Sequence, residues 1–171
     1  MKKELTRRSF LKLAGVGALA VAMSGSLTGC DVIDNLKDMD SVSAAIGDVK
    51  FMLSASAWAN NGSNGISYQP TCEIRNNSKK AVTYGGSGSG CEVIITGVLT
   101  DKNNKEYPMT YVGENGSAPA GEKYEVKDFK LVAVGKKLHM EGSKVVTTFT
   151  YKGKKAVFTE YYDGNITSKV E

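Results

Sequence analysis

Histidine, tryptophan and proline are scarce in this sequence: 171 residues hold one His, one Trp and three Pro. With His139 as the lone imidazole and no Gly-x-Ser-x-Gly elbow, nucleophilic hydrolysis has almost nothing to be built from. Carboxylates are scattered without a motif, although a pair of them can meet in space from any spacing. Besides Cys72 and Cys91, only His139 with Met140 offers soft ligands, so no metal and no cofactor is expected. Long apolar runs are missing too. The run from Leu13 to Met23 has eleven residues, about 16 Å as a helix against a hydrocarbon core of roughly 30 Å, too short for an ordinary transmembrane anchor. No internal repeat is present, and no window past Gly47 sustains a helical period.

The first thirty residues are an address. A basic stretch precedes the apolar run, and the small residues Ser24-Gly25-Ser26 follow it, the three-part layout of a secretory signal. Arg7-Arg8-Ser9-Phe10-Leu11-Lys12 resembles the twin-arginine translocation motif, and Leu27-Thr28-Gly29-Cys30 resembles a lipobox. The alternative is a general secretory signal with a chance Arg pair. The resemblance to lipoproteins implies cleavage before Cys30 and a diacylglyceryl group on its thiol, because stable anchoring takes two or more chains. It also implies a cell-membrane location on the extracytoplasmic face, with the bilayer as a partner. Asp31 follows directly; in two-membrane bacteria of the enteric type, Asp at that place is a retention signal for the inner membrane.

Removing the signal changes the charge balance. Of 22 basic and 18 acidic residues, five basic and one acidic fall within residues 1–29, leaving 17 of each. A neutral mature chain without a basic cluster has no electrostatic footprint for nucleic acid. The organisation read from the sequence is a signal peptide over 1–29, a lipidated N-terminus and acidic tether over 30–47, and one domain over 48–171.

That domain reads as strands. Val49, Phe51, Leu53, Ala55 and Ala57 share one parity, while Lys50, Met52, Ser54, Ser56 and Trp58 share the other, the period of a half-buried strand. The Asn60 to Gly65 turn follows, and Ile66, Tyr68, Cys72 and Ile74 resume the alternation as the second arm of a hairpin. Pro70 cannot donate to a ladder and marks an edge position or a bulge within this second strand. Further β-rich runs span Ala81 to Tyr84, Glu92 to Thr100, Tyr107 to Val112, Lys123 to Val134, Lys144 to Tyr151 and Ala156 to Tyr162, the last two joined as a hairpin at Lys152-Gly153. About eight strands at this spacing predict an all-β sandwich.

The run Cys72 to Val82 with its Asn76-Asn77-Ser78 corner, the strand Glu92 to Thr100 with Asp101-Lys102-Asn103, and the corner Ala118-Pro119-Ala120-Gly121-Glu122 carry a resemblance. They are similar to an immunoglobulin-like module of bacterial envelope proteins, in an order shared by the intracellular proteinase inhibitor family of bacteria. The resemblance covers roughly Ser67 to Phe129 and implies an immunoglobulin-like β-sandwich; no inhibitory residue carries over.

Cys72 and Cys91 both fall on apolar parity in an exported chain, which predicts a disulfide closing about 20 residues and stabilising by roughly 3 kcal/mol. Two buried thiols or a metal or redox pair are the alternatives. Gly85 to Gly90 has no following Lys-Ser/Thr and no helix, so it reads as a flexible loop rather than a phosphate cradle. Aromatics remain as binding candidates. Trp58 lies on the polar parity beside the turn carrying Asn61 and Asn64, and Tyr161 and Tyr162 face opposite sides of their strand; exposed aromatics give contact area at low entropy cost. The expected function is a non-catalytic, lipid-anchored binding or interaction module for an envelope protein, peptide or glycan. The alternatives are a protease-inhibitor-like module and an envelope enzyme without a recognisable motif.

Overall fold

The computed structural model describes residues 41–61, 65–135 and 138–171. The signal residues Arg7, Arg8, Phe10, Leu11, Leu27 and Gly29, the lipidation residue Cys30 and the turn residue Asn64 lie outside them.

The described chain is all-β. Twelve strands follow one another: β1 (Val42–Ile46), β2 (Val49–Asn60), β3 (Ile66–Asn76), β4 (Val82–Gly86), β5 (Val93–Thr100), β6 (Glu106–Tyr111), β7 (Gly116–Ala118), β8 (Lys123–Val126), β9 (Leu131–Ala133), β10 (Lys144–Tyr151), β11 (Lys154–Tyr161) and β12 (Ile166–Val170). They form one sheet in the order β1-β2-β3-β9-β6-β5-β10-β11-β12, with β8 on β3 and the pair β4-β7 on β5. Only the β4–β5 pairing is parallel. The sheet curls until its two outer strands meet, where the Ser168 hydroxyl of β12 donates to the Ser43 carbonyl of β1 at 2.9 Å. The architecture is therefore close to a barrel, with the interior filled by side chains. Phe51 of β2 stacks on Phe149 of β10 at 4.7 Å, although the two strands are far apart in the sheet order. Phe129 and Phe158 pack against Phe149 as well.

Several turns follow from local chemistry. Lys152 and Gly153 both take positive φ, 50° and 75°, the two-residue geometry whose twist matches antiparallel strands, and β10 and β11 pair from Tyr151–Lys154 onward. Asp101 accepts the backbone N–H groups of Asn103 and Lys105 at 2.8 and 2.9 Å, which closes the β5–β6 hairpin; the Lys105 N–H chiefly holds its carboxyl below the usual range. The corner after β3 is organised by Asn76, which is fully buried. Its amide donates to the carbonyls of Lys80 (2.8 Å) and Ala118 (3.0 Å), and its Oδ1 accepts the Ser78 N–H and hydroxyl.

The strands number twelve where about eight were expected, and four further features depart from the sequence reading. β1 lies in the stretch assigned to the tether, because past Asp40 the residues Val42, Ala44 and Ile46 alternate and two of them reach the core. The single run expected over Lys123 to Val134 is two strands broken at Asp128, whose φ is +53°. β7 and β12 are short, largely polar strands without a strong alternation.

The fourth departure concerns the bulge. Ser54 pairs with Thr71 and Ser56 with Pro70, so the extra residue sits in β2 opposite the proline and not in the proline's own strand, where the bulge was expected. The partner on the other side of β3 also changes there, from β8 at Cys72–Arg75 to β9 at Ile66–Tyr68. Pro70 lacks the N–H that a regular ladder needs, and the chain takes up the defect as a register shift. One inserted residue swaps the faces of everything beyond it. Ser56 and Trp58 therefore turn inward, and the placement of Trp58 on the outer, polar parity is corrected.

The expected Cys72–Cys91 disulfide is not formed: both are free thiols, Cys72 buried and Cys91 half-exposed. Cys72 lies on the inward row of β3. Cys91 precedes β5 and its N–H is held by the Ser89 hydroxyl at 3.3 Å, so it stands off the inward row that the parity argument assumed. Burial, with the Glu73 carboxylate adding, pushes the Cys72 thiol well above its ordinary range.

Two outcomes are expected. A thiol reagent should modify Cys91 in the folded protein and Cys72 only after unfolding, since a buried, protonated thiol is a poor nucleophile; a single bridged peptide pair in mass spectrometry of the oxidised protein would contradict the free thiols. Gly65 has φ +106°, and a Cβ there would stand 1.8 Å from the Ala133 carbonyl oxygen. Gly65→Ala should cost about 2–5 kcal/mol in urea unfolding, from backbone strain and overpacking together. A loss below about 0.5 kcal/mol would show that β9 does not close on the β2–β3 hairpin in this way.

Candidate functional site

Both ends of the curled sheet carry polar side chains, and they differ in kind. At the end where β2 finishes and β3 begins, Glu160 of β11 is almost wholly buried, at 2% exposure. A carboxylate there needs donors, because an unpaired buried charge is costly. It receives the Tyr68 hydroxyl at 2.7 Å and the Ser56 hydroxyl on its other oxygen. Trp58 donates its indole N–H to the same Ser56 oxygen at 3.2 Å. The Trp58 ring meets Tyr68 and Tyr162 edge-on, at 5.3 and 5.5 Å between centroids. The bulge makes this arrangement, since without it Ser56 and Trp58 would point outward.

The residues singled out from sequence therefore separate. Trp58 and Tyr162 come together, half-buried, as part of this closure. Tyr161 points to the opposite side and is 44% exposed. Asn61 is exposed and its N–H bonds the Gly65 carbonyl at 2.8 Å, which closes the turn. His139 is exposed, and its carbonyl accepts the Ser143 hydroxyl at 2.6 Å. Glu160 and Tyr68 were not anticipated: a Glu within an apolar run, buried among Ala156, Val157 and Phe158, was the signal available.

The other end, where β1 turns into β2 and β10 into β11, carries an open groove of about 540 Å³. Its lining is charged and polar: Lys79, Lys80 and Lys152 stand with Asp48 and Glu92, and Asn77 and Ser78 lie between them. The walls are tied to one another. The Asn77 N–H donates to the Asp48 carbonyl at 2.8 Å, and Glu92 accepts the Thr83 N–H while its own N–H donates to the Thr83 hydroxyl. The backbone that carries Lys79 and Lys80 is held by buried Asn76, through the Lys80 carbonyl and Ser78. Lys152 lies 4.9 Å over the Tyr151 ring. Among the described residues none of these three ammonium groups is ion-paired. No group of three or more His, Cys, Asp or Glu among the described residues could hold a metal ion.

A scan against family models finds no match, and no curated protein matches the chain. Two solved structures of β-glucuronidase from Bacteroides uniformis, one covalently bound to cyclophellitol-6-carboxylate aziridine, are similar at 13% identity and a TM-score of 0.36. The similarity covers 62% of this chain and 12% of theirs, so the chain spans about an eighth of the length of those structures.

The geometry assigns Trp58 and Glu160 to closing the sheet. Glu160→Ala should remove the carboxylate that the buried Tyr68 and half-buried Ser56 hydroxyls donate to, at about 1–3 kcal/mol for Tyr68 and less for Ser56. Trp58→Ala should cost about 2–3 kcal/mol, below the roughly 3–5 kcal/mol of a fully buried Trp. Both are read from chemical denaturation midpoints. A Trp58→Ala variant as stable as the parent to within about 0.5 kcal/mol would return Trp58 to the surface as a free ligand anchor.

Proposed function

We propose that this chain is a lipid-anchored, extracytoplasmic binding module of the bacterial cell envelope, held to the membrane through acylated Cys30 and exported under Arg7 and Arg8. It binds rather than catalyses. The observation that carries the binding reading is the groove at the β1–β2 end: its walls are cross-bonded in advance, and its lysines form no ion pair among the described residues. A site whose backbone walls are held before the ligand arrives loses less entropy on binding. The buried carboxylate at the other end gives the enzyme alternative little support, because its two oxygens already serve the hydroxyls of Ser56 and Tyr68.

We read the architecture more finely as a variant of the immunoglobulin-like sandwich. The contact of Phe51 with Phe149 supports two facing layers, and the Asn76 corner and the Asp101 turn fold as such modules require.

Detergent-phase partitioning tests the anchor. The full chain expressed in a bacterial host should enter the detergent phase and the membrane fraction, and Cys30→Ala should stay in the aqueous phase. A Cys30→Ala variant that remains with the membrane like the parent would overturn the lipoprotein reading.

A further inference from the structure

The groove at the β1–β2 end has a composition that narrows its ligand. We propose that it binds an anionic glycan, a saccharide chain bearing carboxylate or phosphate groups among its hydroxyls. The proposal names the ligand class of the binding site above and rests on that reading.

Three features favour that class. Lys79, Lys80 and Lys152 supply three ammonium groups that form no ion pair among the described residues, and their charge-assisted hydrogen bonds suit carboxylate or phosphate oxygens. The Ser78 hydroxyl is engaged by Asn76 and Lys80, while Asp48, Glu92 and the Asn77 amide stand in the same groove. These groups accept hydrogen bonds, which a pure polyanion does not offer and sugar hydroxyls do. The apolar lining is thin: of Ala81, Val82 and Tyr151 only Ala81 is exposed, and the Tyr151 ring lies buried beneath Lys152, so the groove has no pocket for the side-chain anchors of a peptide. The volume of about 540 Å³ is within the roughly 300–1,000 Å³ of sites for small ligands.

Calorimetric titration of the full chain in neutral detergent tests the proposal. The probes are trigalacturonate for carboxylate, a short glycerol-phosphate oligomer for phosphate, and maltotriose as the neutral saccharide. Saturable binding of trigalacturonate, of the phosphate oligomer or of both is expected, weakening as salt rises, with no binding of maltotriose. Lys79→Ala combined with Lys80→Ala should weaken it tenfold or more, while Lys105→Ala, far from the groove, should bind like the parent. The two lysines are exposed, so the double variant should fold, and its circular dichroism melt confirms that independently. The proposal fails if neither anionic saccharide binds, if maltotriose binds as well as they do, or if the double variant binds undiminished. It fails also if a hexapeptide of Asp and Glu, or vesicles of anionic lipid, bind as tightly as the saccharides. None of these outcomes bears on whether Cys30 anchors the chain, which the partitioning of Cys30→Ala decides separately.

Discussion

The fold depends on closing a sheet at a seam that has no ladder. Among the described residues β1 pairs with β2 alone and β12 with β11 alone, and the two outer strands meet where the Ser168 hydroxyl donates to the Ser43 carbonyl. What brings the two sides together elsewhere is Glu160. Its carboxylate on β11 gathers Ser56 from β2 and Tyr68 from β3, and Trp58 and Tyr162 pack together across the same join. A buried charge is a poor source of net stability when compared with a well-packed apolar replacement. It is directional, however, and a carboxylate that must be satisfied by donors from two other strands fixes how they meet. Apolar packing alone would leave that register free to slide.

This closure needs the defect at Pro70. A regular β2 would carry Ser56 and Trp58 on its outer face, leaving Glu160 with one hydroxyl fewer and Tyr68 without its edge-on neighbour. The missing N–H of a proline, the extra residue in the facing strand and the inward turn of a serine and a tryptophan are thus one event seen at three levels. It also explains why the end that sequence analysis favoured for binding is the closed one: the aromatics there contact one another.

How far the sequence was legible follows from which signals are local. The Lys152-Gly153 hairpin, the Asp101 turn and the Asn76 corner depend on residues within a few positions of one another, and each folds as its residue types require. Alternation likewise identified β2, β3, β5, β10 and β11. The parity of Trp58 failed because a bulge is invisible to a period-two count, even though Pro70 announced one. β1 was hidden by the acidic residues that precede it, and β12 by its polar composition, because its place is made by β11 rather than by its own apolar face. The cysteine pairing failed for a related reason: parity was extended two residues beyond the start of β5, where the backbone is no longer a strand. The groove could not be read at all, since Asp48, Lys79, Glu92 and Lys152 come from four separate turns.

Those turns meet because of the core beneath them. Asn76 sits at the end of β3 with no exposed surface, and every hydrogen bond its amide makes is to the corner or to β7. A buried amide left unsatisfied is expensive, so the corner is constrained to the one path that supplies its partners. That path puts Lys79 and Lys80 on the rim. Asp48 is brought to the same rim by the tight turn between β1 and β2, and Lys152 by a turn whose positive φ values leave its side chain above the Tyr151 ring. Over residues 30–171, which hold 17 acidic and 17 basic residues, there is no net charge whose long-range field would gather a ligand. Recognition then rests on short-range contacts held in place, which is what turns anchored by buried polar groups provide.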